Sequence, residues 1–90
     1  MDKIVFITGA SSGIGAGCAR KFASEGARVI LNSRSADKLD ALAGELKERY
    51  NAICLVLPFD VRDRQAAAYA IDSLPDEWKS IDILINNAGL

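Results

Sequence analysis

Histidine is absent from the 90 residues, and there are only two cysteines, Cys18 and Cys54. Neither cysteine has a partner at metal-ligand spacing, so no zinc site and no metal cofactor is expected. The two thiols read as reduced and buried, Cys18 in a helix and Cys54 in a strand. A block of like charge is also missing: 11 basic and 12 acidic side chains are interspersed, giving a net charge of −1 and a pI near 5.3. Without a phosphate-neutralising patch, nucleic acid is not an expected partner. Behind Met1-Asp2-Lys3 stand only four consecutive apolar residues, Ile4 to Ile7. That run is too short for a signal-peptide core or a membrane span, so the expected location is cytoplasmic, with no membrane partner.

What the chain does have is apolar content, 50% of its residues with a mean hydropathy of +0.11, which suits a parallel sheet buried on both faces. Strand-like and helix-like patterns alternate along it. Ile4–Thr8 reads as a first strand and residues 13–25 as a helix with Ile14, Cys18, Ala19 and Phe22 on one face, closed by a left-handed Gly26. Val29-Ile30-Leu31 reads as a second strand. Ser35 then caps a helix whose apolar stripe is Leu39, Leu42, Ala43, Leu46 and Tyr50. The charged side of that helix, Lys38 included, reads as a solvated face. Residues 53–57 form a third strand ended or edged by Pro58, Asp63 caps a third helix bearing Ala67, Ala70, Ile71 and Leu74, Pro75 stops it, and Ile83-Ile85 is a fourth strand. Such alternation implies an α/β fold with parallel strands and right-handed crossovers, in the order 3-2-1-4 of one half of a doubly wound sheet. The first two helices would cover one face and the third the other, leaving strand four as an open edge.

The most informative stretch is Thr8-Gly9-Ala10-Ser11-Ser12-Gly13-Ile14-Gly15, between the first strand and the first helix. In a diphosphate-binding turn of this kind Gly9 permits a tight exit from the strand. Gly13 removes a side chain where the pyrophosphate approaches, and Gly15 lets the helix pack closely. Free N–H groups at the helix start favour an anion, and the hydroxyls of Ser11 and Ser12 could donate to phosphate or satisfy local backbone. About 20 residues beyond such glycines an acid usually binds a ribose 2′-hydroxyl. Here Asn32-Ser33-Arg34 stands without a carboxylate, and Arg34 suits a 2′-phosphate, with neutral hydrogen bonds from Asn32 and Ser33. Asp60-Val61 follows strand three, where it either meets an adenine ring or simply shapes a loop. Asn86-Asn87-Ala88-Gly89 closes strand four, where small residues admit a ribose and the asparagine amides can bridge strands.

Together the glycine turn, Asp60-Val61 and Asn86-Asn87-Ala88-Gly89 resemble the classical short-chain dehydrogenase/reductase family, over the whole length of the chain. The resemblance implies a Rossmann-type sheet that binds pyrophosphate at the turn, adenine at Asp60 and Val61, and ribose at Asn86 to Gly89. It implies NADP rather than NAD, from Arg34, although the basic residue that some NADP-preferring members carry in the turn is replaced by Ser12. The segment from Leu74 to Leu90 is similar to the NADP-dependent 3-hydroxy acid (serine and allo-threonine) dehydrogenase branch.

The family's catalytic serine, asparagine and Tyr-x-x-x-Lys pair lie downstream of the Asn-Asn-Ala-Gly motif and have no counterpart here: Tyr50 is followed four residues on by Cys54, and Tyr69 by Ser73. The expectation is therefore that residues 1–90 are the N-terminal dinucleotide-binding part of a single Rossmann domain, without its catalytic part and without independent activity. The complete protein would be a homo-oligomeric oxidoreductase moving hydride between nicotinamide and a small carbonyl or alcohol. The alternative is a non-catalytic NADP(H)-binding module.

Overall fold

The computed structural model describes residues 2–88. Among them the elements run β1 (Ile4–Thr8), α1 (Gly13–Ser24), β2 (Arg28–Ser33), α2 (Ala36–Tyr50), β3 (Cys54–Pro58), α3 (Arg64–Asp72), a 3-10 turn (Asp76–Trp78) and β4 (Ile83–Asn86). The strands form one sheet in the order β3-β2-β1-β4. Every pairing is parallel, with Val5 opposite both Val29 and Ile83, and Val29 opposite Cys54. This is the anticipated half of a doubly wound sheet.

All five residues of β1 are buried because the strand is central and covered on both faces. The period-two alternation of a strand divides them. Val5 and Ile7 join Val29 and Leu31 under α1 and α2, packed on Ala16, Ala19, Ala23, Leu39, Leu42 and Leu46. Burying each of the three leucines contributes about 1.5–3 kcal/mol. Ile4, Phe6 and Ile30 face the other way, onto Leu74 and Trp78. Side-chain caps fix the helix starts. Ser12, Ser35 and Asp63 accept from the backbone N–H groups of Gly15, Lys38 and Ala66 respectively. Gly26, at φ +88°, and Asn51, at φ +55°, take the left-handed conformation that ends α1 and α2.

The second face departs from expectation. Helix α3 has no buried residue, and Ile71 is exposed. The helix stops at Asp72, before Pro75, so Leu74 lies beyond it and turns inward with 4% exposure. The cover is Leu74 together with Trp78, not the stripe of α3. Arg28 holds that cover: its guanidinium sits 5.3 Å from the Trp78 ring centroid and donates to the Glu77 carbonyl at 3.0 Å. Strand limits shift slightly, since β2 extends to Ser33 and Ile53, 59% exposed, lies outside β3. Pro58 is tolerated because β3 is an edge strand. Leu84, on the other edge strand, is 63% exposed. Cys18 and Cys54 are free but only half-buried, and burial pushes the Cys54 thiol up to about 11. No helix among the described residues is long and apolar enough to cross a membrane.

Candidate functional site

The C-terminal ends of the parallel strands open into a cavity of about 390 Å³. In open sheets of this kind, ligands enter where the strand order reverses, here between β1 and β4, and the cavity runs from there past the ends of β2 and β3. The glycine turn forms one wall. Gly9 has φ +62°, a conformation an L side chain rarely adopts, and Ala10 N–H reaches across to the Asn32 carbonyl at 2.8 Å. Gly15 is required by close packing: a Cβ there would fall on the Gly9 carbonyl oxygen, and 2.7 Å from Asn87 Nδ2. At Gly13 a Cβ would meet nothing within 4 Å, so the protein itself leaves that position open. Helix α1 carries no acidic side chain in its first turn, so the positive end of its dipole is unopposed.

The end of β4 is laced to this turn. Thr8 Oγ1 accepts from the backbone N–H groups of Asn87 (2.9 Å) and Ala88 (3.2 Å), and lies 3.2 Å from Asn86 Oδ1 as donor. Asn87 Nδ2 donates to the Gly9 carbonyl (3.1 Å) and to Ser12 Oγ (2.9 Å). The asparagines therefore bridge β4 to β1 and the turn. Asn87 is 6% exposed, and its Oδ1 is buried with no hydrogen-bond partner among the described residues. The Ser12 hydroxyl donates to Gly9 O at 2.9 Å, so of the two serines it is the one that serves local backbone, although both line the cavity.

The opposite wall comes from β2, α2 and the loop after β3. Arg34, Ser33 and Ser35 line it, with Lys38 from the first turn of α2 and Phe59, Asp60, Val61 and Arg62 beyond. Asn32 also lines it, but its amide donates to the carbonyls of Leu57 (2.9 Å) and Phe59 (3.1 Å), and so joins β2 to the chain leaving β3. Ser33 Oγ accepts from Ser35 N–H at 3.1 Å. Arg62 chelates Asp60, with Nη2 2.9 Å from Oδ2, Nε 3.1 Å from Oδ1 and its backbone N–H 2.9 Å from Oδ1. Those hydrogen bonds, ahead of the nearby charges of Arg62 and Arg34, hold the Asp60 carboxyl down to about 2.

Of the residues singled out in the sequence, Gly9, Ser11, Ser12, Asn32, Ser33, Arg34, Asp60, Val61 and Ala88 thus meet around one cavity. Gly13, Ile14, Gly15, Asn86 and Asn87 do not line it. Ile14 is 66% exposed, and Gly15 and Asn87 stand behind the turn and shape it. Gly89 lies outside the described residues. Sequence reading missed Ser35, Lys38, Phe59 and Arg62 as wall residues. Lys38 was legible in one respect, since it follows the Ser35 cap by three residues and so belongs to the turn of α2 that starts at the site.

Three cations face one carboxylate across this cavity, a composition that suits an anionic ligand. The residues fit a dinucleotide phosphate ester on grounds of structure: a helix start without acids, an open Gly13, and basic side chains opposite.

Comparison with known proteins agrees. The family model for short chain dehydrogenase matches residues 3–90. A serine 3-dehydrogenase of Agrobacterium fabrum is 46% identical over all 90 residues, which cover 34% of that relative. An NADP-dependent 3-hydroxy acid dehydrogenase of Salmonella typhi is 44% identical over 87 residues, 97% of this chain and 34% of that one. The crystal structure of L-sorbose reductase from Gluconobacter frateurii, complexed with NADPH and L-sorbose, superposes with a TM-score of 0.90 at 38% identity, covering 99% of this chain and 34% of that one. The chain thus spans about a third of the length of these relatives. With the motif, the sheet order and the family model in agreement, the chain belongs to the short chain dehydrogenase family.

Proposed function

We propose that these residues are the cofactor-binding portion of an NADP-dependent oxidoreductase acting on a small carbonyl or alcohol substrate. The observation that carries this reading is the cavity itself, with a glycine turn and helix start on one side and Arg34 on the other, at a strand end that bears no carboxylate. An acid at the end of β2 would repel a 2′-phosphate; Asn32, Ser33 and Arg34 do not. Arg34 would take the 2′-phosphate in a planar two-donor grip, and the N–H groups at the start of α1 would take the pyrophosphate. Val61 would pack on the adenine ring beside Asp60. The cofactor, when bound, supplies the hydride; the role of these residues is to bind and orient it.

Proton transfer in this family is assigned to a serine and a Tyr-x-x-x-Lys pair, and the 90 residues contain no such pair. Within the whole protein we place those groups outside this segment, so the segment taken alone binds without turnover. The names of the serine 3-dehydrogenase and 3-hydroxy acid dehydrogenase relatives support a 3-hydroxy acid as substrate.

Calorimetric titration of the chain with NADPH and NADH tests the reading, alongside Arg34→Ala. A charge-assisted hydrogen bond contributes about 1.5–3 kcal/mol, so the variant should lose roughly ten- to hundredfold in NADPH affinity. NADH affinity should stay unchanged. Equal affinity for the two nucleotides in the unsubstituted chain, or binding of neither, would refute it.

A further inference from the structure

Among the described residues, the cations that line the cavity are Arg34, Lys38 and Arg62. Arg62 is neutralised by its chelate with Asp60. Arg34 and Lys38 form no ion pair with any described residue, whereas Arg20, Lys21, Arg49, Arg62 and Lys79 each face a carboxylate. Two cations without an ion pair are thus presented to one cavity, from two directions: Arg34, whose charge the Asp60 carboxyl also feels, from the loop after β2, and Lys38 from the first turn of α2.

The placement of Lys38 is fixed by backbone. Its own N–H is capped by Ser35 Oγ at 3.3 Å, and Ser35 is in turn tied to Ser33 Oγ. The loop that carries Arg34 and the turn that carries Lys38 are therefore tied to each other by hydrogen bonds. A phosphate monoester carries between one and two negative charges near neutral pH, more than one guanidinium balances. Arginine supplies a planar fork and lysine a compact point charge, so the two are complementary around one tetrahedral anion.

Resting on the NADP reading above, we propose that Lys38 is a second specificity-determining residue, which reads the 2′-phosphate together with Arg34. The site would take the place of the basic residue that the glycine turn lacks at Ser12.

The test is titration of the full chain with NADPH and NADH for Lys38→Gln, Lys38→Arg and Lys47→Gln, which lies on the same helix away from the cavity. Lys38→Gln should weaken NADPH about fivefold, the size of an exposed ion pair at the upper end of its range, and leave NADH unchanged. Lys38→Arg should restore most of the loss, and Lys47→Gln should alter neither affinity. Unchanged NADPH affinity in Lys38→Gln, or equal loss for both nucleotides, overturns the assignment while leaving the NADP reading intact. Failure of the unsubstituted chain to prefer NADPH overturns both.

Discussion

Gly15→Ala and Gly17→Ala add the same methyl group two residues apart in α1, and the structure assigns them opposite outcomes. At Gly15 the added Cβ would fall on the Gly9 carbonyl oxygen, 2.9 Å from Gly9 C and 2.7 Å from Asn87 Nδ2. Two of those atoms are backbone, so no rotamer change relieves the overlap. The start of α1 must move away from the turn, which also pulls on the Asn87 bridge to Gly9 and Ser12. Overpacking of this kind costs about 1–3 kcal/mol, with contact on rigid backbone at the upper end. Helix propensity returns about 1 kcal/mol for Gly→Ala, leaving a net loss near 2 kcal/mol. At Gly17 a Cβ meets nothing within 4 Å and φ is not positive, so only the propensity term remains. Gly17→Ala should gain about 1 kcal/mol, separating the two variants by about 3 kcal/mol. Urea denaturation followed by circular dichroism reads this directly as a difference in midpoint at similar slope. Equal midpoints would show that α1 does not depend on a glycine to approach the turn, and would remove the packing rationale for Gly15.

Gly13→Ala should be as stable as the unsubstituted chain, because a Cβ there has open space, yet bind NADPH at least tenfold more weakly; calorimetry beside urea denaturation separates the two effects, and undiminished binding would refute a role for Gly13 in admitting phosphate. Asp60, held at about 2 against an ordinary 3.8 chiefly by hydrogen bonds from Arg62, contributes stability that is complete above pH 4 and lost as pH falls toward 2. Arg62→Ala should return the Asp60 carboxyl toward its ordinary value, seen as a shifted carboxyl carbon titration by NMR; an unmoved titration would mean that Arg62 is not its partner in solution.

The layout of this fold was legible because its signals are local. Four short apolar runs, the side-chain caps Ser35 and Asp63 and the glycine turn each announce themselves within a few residues, and parallel crossover rules then leave few arrangements. The second face was not legible. Whether Leu74 belongs to α3 or turns inward depends on where the helix ends relative to Pro75, and Trp78 becomes core because it meets Ile4, Phe6 and Ile30 of the sheet, with Arg28, 50 positions earlier in the chain, against its ring. Asn32 illustrates the same limit within the site: its position at the end of β2 was readable, but its amide answers to the carbonyls of Leu57 and Phe59, which are adjacent only once β3 pairs with β2. Lys38 was read as one charge of a solvated helix face, since on its own helix that is where the spacing puts it; only the sheet order brings the start of α2 beside the cavity.

The division of labour around the cavity follows from which polar groups are already engaged. On the turn side, Thr8, Ser12 and the Asn87 amide direct their hydrogens inward, holding β4 and the turn in register with β1. Such side chains shape the turn before any ligand arrives, but they have little left to offer one. Recognition there would fall to backbone N–H groups and the dipole of α1, which attract any phosphate and distinguish none. On the far side the engagement is reversed. Asp60 and Arg62 satisfy each other, while Arg34 and Lys38 form no ion pair with any described residue. On the proposed reading, selectivity between the two nicotinamide cofactors would therefore reside in Arg34 and Lys38, and the glycine turn, however specific it looks in sequence, should be indifferent to the 2′-phosphate.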